Sequence, residues 1–342
     1  MEYRTLGGTG TIVSSLCLGT MTFGNESSEE VSHAQLDRYL ERGGNFVDTA
    51  NVYSRGVSEE IIGRWLARRG GAVRDQVVLA TKGRFPMGEG PNDLGLSRTA
   101  LTRALDASLR RLQVDTVDLY QAHAWDALTP LEETLRFFDD AVRAGKIRYA
   151  GVSNFVGWQL QKAAMLTDVL GLTPIVTLQP QYNLLVLEIE FELTDVCWNE
   201  NIGVLPWSPL AGGWLTGKYR RDEVPTGASR LADNPERGME AYGPRNAQER
   251  TWQVIDAVGK VAESRGVSMA QVALAWTADR PAVTSVVLGA RSVEQLDDNL
   301  DAAGLHLSEE ETQLLDGVSE PIVGDYPYGP QGRAQRAAGR EL

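Results

Sequence analysis

Cysteine and histidine are scarce in this 342-residue chain, and no long apolar run occurs. The two cysteines, Cys17 and Cys197, show neither a CxxC nor a Cys/His spacing, which excludes a disulfide framework and a structural zinc site. Both lie in apolar surroundings and are expected to be buried, reduced thiols. No uncharged stretch approaches the ~18 to 20 residues of a membrane span. Met1–Gly8 has no basic segment leading into an apolar one, so the expectation is a cytoplasmic protein with no membrane partner. Basic residues are outnumbered, 33 against 46, and the net charge of −13 argues against nucleic acid as a partner. An anionic ligand must therefore meet a local basic patch.

What is present is alternation. Eight short β-rich runs are candidate strands: Leu16–Gly19, Phe46–Asp48, Val77–Thr81, Thr116–Tyr120, Tyr149–Val152, Val176–Gln179, Gly203–Pro206 and Ser285–Leu288. Continuous apolar character suits parallel strands covered on both faces. Between them lie helical patterns with readable ends. Ser58-Glu59-Glu60 and Ser97 read as N-terminal caps, and Gly43-Gly44 and Gly145 as C-terminal stops. Ser268-x-x-Gln271 and Ser292-x-x-Gln295 read as capping boxes. Strict strand–helix alternation repeated eight times predicts an α/β fold of the closed (β/α)8 TIM-barrel type. No Gly-x-Gly-x-x-Gly follows the first strand, as a dinucleotide-binding doubly wound sheet would prefer. Residues 2–13 read as a hairpin capping the barrel bottom, and 211–247 as a long Gly/Pro-rich loop after the seventh strand. One domain over 1–320 is expected, with 321–342 as a partly mobile tail.

Active sites of such barrels lie at the C-terminal ends of the strands. There the second strand delivers Asp48 and, a few residues on, Tyr53. The third delivers Lys82 and the fourth His123. Each alone is weak evidence, since an Asp at a strand end is often a turn former. Together the four resemble the catalytic set of the aldo-keto reductase family, and the chemistry that resemblance implies is hydride addition to a carbonyl, which puts negative charge on oxygen and then needs a proton. Tyrosine, with an ordinary pKa of about 10, is expected to be drawn down by a nearby lysine. Tyr53 then reads as general acid/base, Lys82 as its modulator, Asp48 as the group orienting Lys82, and His123 as a donor to the substrate oxygen.

Several phrases in this order resemble the aldo-keto reductase family: Asp48-Thr49-Ala50 with Tyr53, Ser58-Glu59-Glu60, Ala80-Thr81-Lys82, Gln121-x-His123, Gly151-Val152-Ser153-Asn154-Phe155, Gln179-Pro180-x-Tyr182-Asn183 and Trp207-Ser208-Pro209-Leu210. The resemblance runs from the N-terminal hairpin through Asn299. It implies a catalytic tetrad of Asp48, Tyr53, Lys82 and His123. It also implies that Ser153, Asn154 and Gln179 hold a nicotinamide carboxamide, that Trp207 stacks on the ring, and that Gly19, Thr20 and Met21 approach it. Ser208, Pro209, Leu210, Gly212, Lys218 and Arg230 would follow the pyrophosphate. Gly289, Arg291, Gln295 and Asn299 would surround an adenosine 2′-phosphate, with Asp298 accepting from the adenine. An arginine fork suits such a phosphate, so the implied cofactor is NADP.

The expected partner is a small carbonyl or alcohol substrate, with an aromatic collar of Phe23, Tyr53, Phe85 and Trp125. Monomer and homo-oligomer stay equally open. Two other readings exist. One makes Lys82 a Schiff-base nucleophile in an aldolase. The other starts from Trp207–Leu210 and Gly217-Lys218-Tyr219, which also resemble the β subunits of voltage-gated potassium channels; it makes the chain a cofactor-holding regulatory subunit with slow turnover.

Overall fold

The computed structural model describes residues 1–226, 230–236 and 238–337. An antiparallel hairpin comes first, β1 (Tyr3–Thr5) against β2 (Ile12–Ser14). Eight parallel strands follow: β3 (Leu16–Gly19), β4 (Phe46–Asp48), β5 (Val78–Gly83), β6 (Val117–Ala122), β7 (Ile147–Ser153), β8 (Ile175–Gln179), β9 (Gly203–Val204) and β10 (Val286–Leu288). Neighbours in sequence are neighbours in the sheet, and β10 returns to pair with β3. Backbone bonds join the remaining edge: Thr284 N donates to Val204 O at 2.9 Å and Val287 N to Pro206 O at 2.9 Å. The sheet is the expected (β/α)8 barrel.

Outer helices face the strands through apolar stripes. Leu131–Arg143 buries Leu131, Leu135, Phe138 and, beside them, Phe137 and Ala141, the spacing of a helix with one face on a sheet. Inside the barrel, Leu6, Val13, Cys17, Phe46, Ala80, Leu119, Val176, Leu205 and Val287 form a separate plug. The hairpin seals the N-terminal end of the barrel. Gly7 has φ 54°, and a Cβ there would lie 2.2 Å from Val176 O, so the turn sits directly on the strand starts. Chemistry is left to the opposite end.

Some expected boundaries differ. Strands β5 and β6 run on to Gly83 and Ala122 because their pairing continues from Ala80↔Leu119 through Gly83↔Ala122. Lys82 therefore belongs to the sheet rather than to a solvated end. Strand β9 stops at Val204, before Pro206, which has no N–H to donate. Ser97 and the Ser268/Gln271 box cap their helices as expected. Ser58 does not: its helix, Val57–Arg69, starts after Gly56, and the Ser58 hydroxyl bonds Thr20 Oγ1 at 2.9 Å and Thr49 Oγ1 at 3.0 Å. At Ser292 half of the box forms. Its hydroxyl accepts from Gln295 N, but the Gln295 side chain accepts from Arg291 N at 3.0 Å. The long loop is built rather than open, with Trp214 fully buried, stacked on Tyr242 and donating to Glu240 O at 3.0 Å.

Candidate active site

Side chains two residues apart on a strand share a face. Phe46, Ala80 and Leu119 belong to the inner plug, so Asp48, Lys82 and Gln121, one step toward the C-terminal ends, also point inward. Lys82 Nζ lies 2.5 Å from Asp48 Oδ2, 2.8 Å from Thr49 O and 3.3 Å from Tyr53 Oη. Tyr53 reaches this point through a tight turn in which Ser54 and Arg55 have φ of 48° and 54°. Such left-handed backbone is costly for residues with a Cβ and persists where its surroundings hold it. Here the hold includes Ser54 Oγ, which donates to Phe23 O at 2.8 Å. The His123 ring stands edge-on to Tyr53 with centroids 5.8 Å apart.

A cleft of about 530 Å³ opens over this cluster, within the range of small-molecule sites. Asp48, Tyr53 and His123 line it, with Lys82 fully buried behind Asp48. The same cleft collects Gly19, Thr20 and Met21 from the end of β3, Ser153 and Asn154 from β7, and Gln179 from β8. Trp207, Ser208, Pro209 and Leu210 follow from beyond β9, with Gly212 and Lys218 from the next loop. Gly289 and Arg291, just before the helix Val293–Leu300, and Gln295, Asp298 and Asn299 along it complete the lining. Arg230 opens a short helix, Arg230–Asp233, but its side chain lies outside the described residues.

Hydrogen bonds hold the cleft wall in shape. Trp207 Nε1 donates to Asn154 Oδ1 at 3.1 Å, Asn154 Nδ2 to His123 O at 2.9 Å, and Ser153 Oγ to Gln179 O at 2.7 Å. Asp298 accepts from Gln271 Nε2 at 2.8 Å and Ser268 Oγ at 3.1 Å. The close approach of Lys218 to Gly213 explains the glycine. Gly213 has φ 100°, and a Cβ there would lie 2.3 Å from Lys218 Nζ.

A profile of the Aldo/keto reductase family matches residues 15–320. This chain belongs to that family. It is 38% identical over 335 residues to the uncharacterized oxidoreductase YrpG of Bacillus subtilis, covering 96% of this chain and 98% of the relative. A probable voltage-gated potassium channel subunit beta of Arabidopsis thaliana is 36% identical over 304 residues, covering 88% and 91%. Versiconal hemiacetal acetate reductase of Aspergillus parasiticus is 32% identical over 346 residues, covering 94% and 97%. Family membership supports a carbonyl-reducing oxidoreductase that uses NAD(P)H.

Electrostatics define what this aldo/keto reductase site can do. Burial would push the Lys82 ammonium down, but Asp48 and Tyr53 more than offset it, and its pKa stands above the ordinary value. All three of its protons have acceptors within 3.3 Å. A charged, fully engaged ammonium is no nucleophile, which argues against the Schiff-base reading. Tyr53 departs from expectation. Burial pushes its phenol up, and the pull of Lys82 in the other direction does not overcome this. Tyr53 thus holds its proton at neutral pH. Burial, with Lys82 and then Arg84, holds His123 well below the ordinary imidazole value, so its ring is neutral.

These shifts set a pH profile. Carbonyl reduction, measured as kcat/KM, is expected to stay flat from about pH 6 to about pH 9 and to show no step near the ordinary histidine pKa. For stability the His123 sign is that of a depressed group. The unfolded chain takes up the proton near pH 6.5 and the folded one does not, so stability is complete above that value and is lost as pH falls. An activity step near pH 6.5 that disappears in His123→Asn would contradict the neutral ring.

The motifs included Gln121 and Glu59 but gave neither a role in the site. Gln121 Nε2 donates to Asp48 Oδ1 at 3.3 Å, beside Gln179 Nε2 at 3.0 Å. Its spacing of two from His123 was the available signal. Glu59, with no exposed surface, accepts from Thr81 Oγ1 at 2.5 Å and pairs with Arg111 at 2.7 Å, tying the helix after Tyr53 to the strand of Lys82. The collar needs correction at Phe23, which is completely buried in the outer core. Phe85 packs edge-on to His123 at 4.7 Å, and Trp125 packs against Phe155 and Trp158. Among the described residues there is no cluster of three or more His, Cys, Asp or Glu able to hold a metal, and no helix long and apolar enough to cross a membrane.

Proposed function

We propose that this protein is an NADPH-dependent reductase of small aldehydes or ketones, with Tyr53 as the proton donor. The observation that carries the reading is one cleft holding Tyr53 and His123 at one end and Arg291 with a helix N-terminus at the other. The residues fit a dinucleotide. Ser153, Asn154 and Gln179 offer amide and hydroxyl groups for the carboxamide, and Trp207 offers a flat wall for the ring. Ser208, Leu210, Gly212 and Lys218 border the pyrophosphate path. Backbone N–H groups at the start of Val293–Leu300 favour a phosphate, and the Arg291 fork adds local positive charge to that of Lys218 in an otherwise acidic chain.

Bound NADPH would supply the hydride that adds to the carbonyl carbon. Within the chain, Tyr53 donates its proton to the carbonyl oxygen and regains one from solvent. Lys82 stabilises the phenolate left behind, and Asp48 holds Lys82 in place. Neutral His123 can donate a hydrogen bond to the same oxygen without adding a competing acid. A phenol that keeps its proton suits the reducing direction.

Arg291→Ala is expected to weaken NADPH binding roughly tenfold to a hundredfold, the size of one charge-assisted hydrogen bond. NADH binding should change far less. Titration of both cofactors against both proteins checks this, and equal losses would remove the 2′-phosphate from Arg291. The identity to a channel β subunit favours a second reading, a cofactor-holding regulatory subunit. A screen of aldehydes, ketones and sugars with NADPH and NADH in parallel separates the two: turnover on the scale of seconds supports the reductase, and its absence across the screen supports the regulatory subunit.

A further inference from the structure

Two residues beyond Lys82 the chain presents Arg84, which the motifs of the site did not include. Its guanidinium carbon lies 5.1 Å from the centre of the Phe85 ring, and that ring lies 4.7 Å from the centre of the His123 imidazole. The positive charge is therefore no more than about 10 Å from the His123 ring. Arg84 is half-buried, makes no ion pair among the described residues, and its Nε is buried without a hydrogen-bond partner. The nearby carboxylate Asp126 is already engaged by Leu96 N at 2.8 Å, Thr129 Oγ1 at 2.7 Å and Leu128 N at 3.0 Å. An unpaired, partly desolvated guanidinium is costly unless something arrives to pair with it. In a chain of net charge −13 it is also a local exception to a field that repels anions. The charge is felt at the site, since Arg84 contributes to holding both His123 and Asp126 below their ordinary values.

We propose that Arg84 recognises a carboxylate on the substrate, so that the preferred substrates are aldehydes or ketones bearing a carboxylate several bonds from the reacting carbonyl. This rests on the reductase reading and adds its substrate class. The planar guanidinium fork matches a carboxylate in two parallel bonds, and stacking over Phe85 keeps that plane oriented. Pairing there would also hold the carbonyl end of the substrate beside Tyr53 and His123.

The test compares 4-carboxybenzaldehyde with its neutral methyl ester, using the full chain and NADPH, for wild type, Arg84→Met and Arg84→Lys. In wild type the acid is expected to exceed the ester in kcat/KM by roughly tenfold to a hundredfold, chiefly through KM, as one charge-assisted pair would give. In Arg84→Met the ratio should fall toward one, and Arg84→Lys should restore part of it. A wild-type ratio of one or less, or a ratio unchanged in Arg84→Met, overturns the proposal. Calorimetric binding of 4-carboxybenzyl alcohol to the NADPH-loaded protein gives an independent answer. If wild type reduces neither aldehyde, the reductase reading fails; weaker alcohol binding in Arg84→Met still supports the carboxylate site, and equal binding overturns it.

Discussion

Replacing Tyr53 by phenylalanine is expected to lower kcat for carbonyl reduction by at least about a hundredfold, the lower bound for losing a positioned general acid. NADPH affinity should change by less than about twofold, since the hydroxyl faces Lys82 rather than the groups assigned to the cofactor. Of the four groups in the cluster, the phenol is the one that combines a transferable acidic proton with access to the cleft. Lys82 is sealed behind Asp48, and His123 is a neutral imidazole, which can donate a hydrogen bond but is too weak an acid to give up its remaining N–H proton. Phenylalanine keeps the edge-on contact with His123, so the cleft shape survives. Steady-state kinetics together with a cofactor titration separate the two effects. Wild-type turnover in the variant would remove Tyr53 from the chemistry.

Lys82→Met should be worse still, because it damages fold and chemistry together. The ammonium and Asp48 are both buried, and removing one partner leaves an uncompensated carboxylate that costs about 3–5 kcal/mol. Gln121 and Gln179 still donate to Asp48 Oδ1, but neither carries a charge. The double variant Lys82→Met/Asp48→Leu is expected to regain most of that stability, as apolar replacements of buried pairs often do. It should regain no activity, because the phenolate formed at Tyr53 would then have no cation beside it. Denaturant unfolding and kinetics on the single and double variants read these outcomes separately. Recovery of activity along with stability would mean that Lys82 serves the fold alone.

Much of this was legible in the residues. Short continuous apolar runs placed β3 and β4 at their observed ends, because those strands are covered on both faces and bounded by polar turns. The four polar groups at three strand ends were legible for the same reason, since strand direction alone assigns the catalytic end of a barrel. Ser58 shows where such reading stops. A serine followed by two glutamates has the local chemistry of a cap, but the turn at Ser54 and Arg55 starts the helix earlier and turns the hydroxyl inward to Thr20 and Thr49. Gln121 stood in a quoted motif, but its bond to Asp48 was hidden because that partner lies two strands away. Phe23 was misread because position beyond a strand end does not say which way a ring turns. The direction of the Tyr53 shift was missed for a physical reason: proximity to Lys82 can be inferred from a motif, but the desolvation that outweighs it depends on the packed surroundings.

The central claim is that this cleft brings hydride and proton to one carbonyl group. Incubating the wild-type protein with benzaldehyde and NADPH deuterated on one side or the other of the nicotinamide C4 tests it most directly. Deuterium is predicted to arrive at the alcohol carbon from only one of the two cofactors, as the proposed stacking of Trp207 on one face of the ring requires. Product alcohol free of deuterium with both, or equal transfer from each, would contradict it.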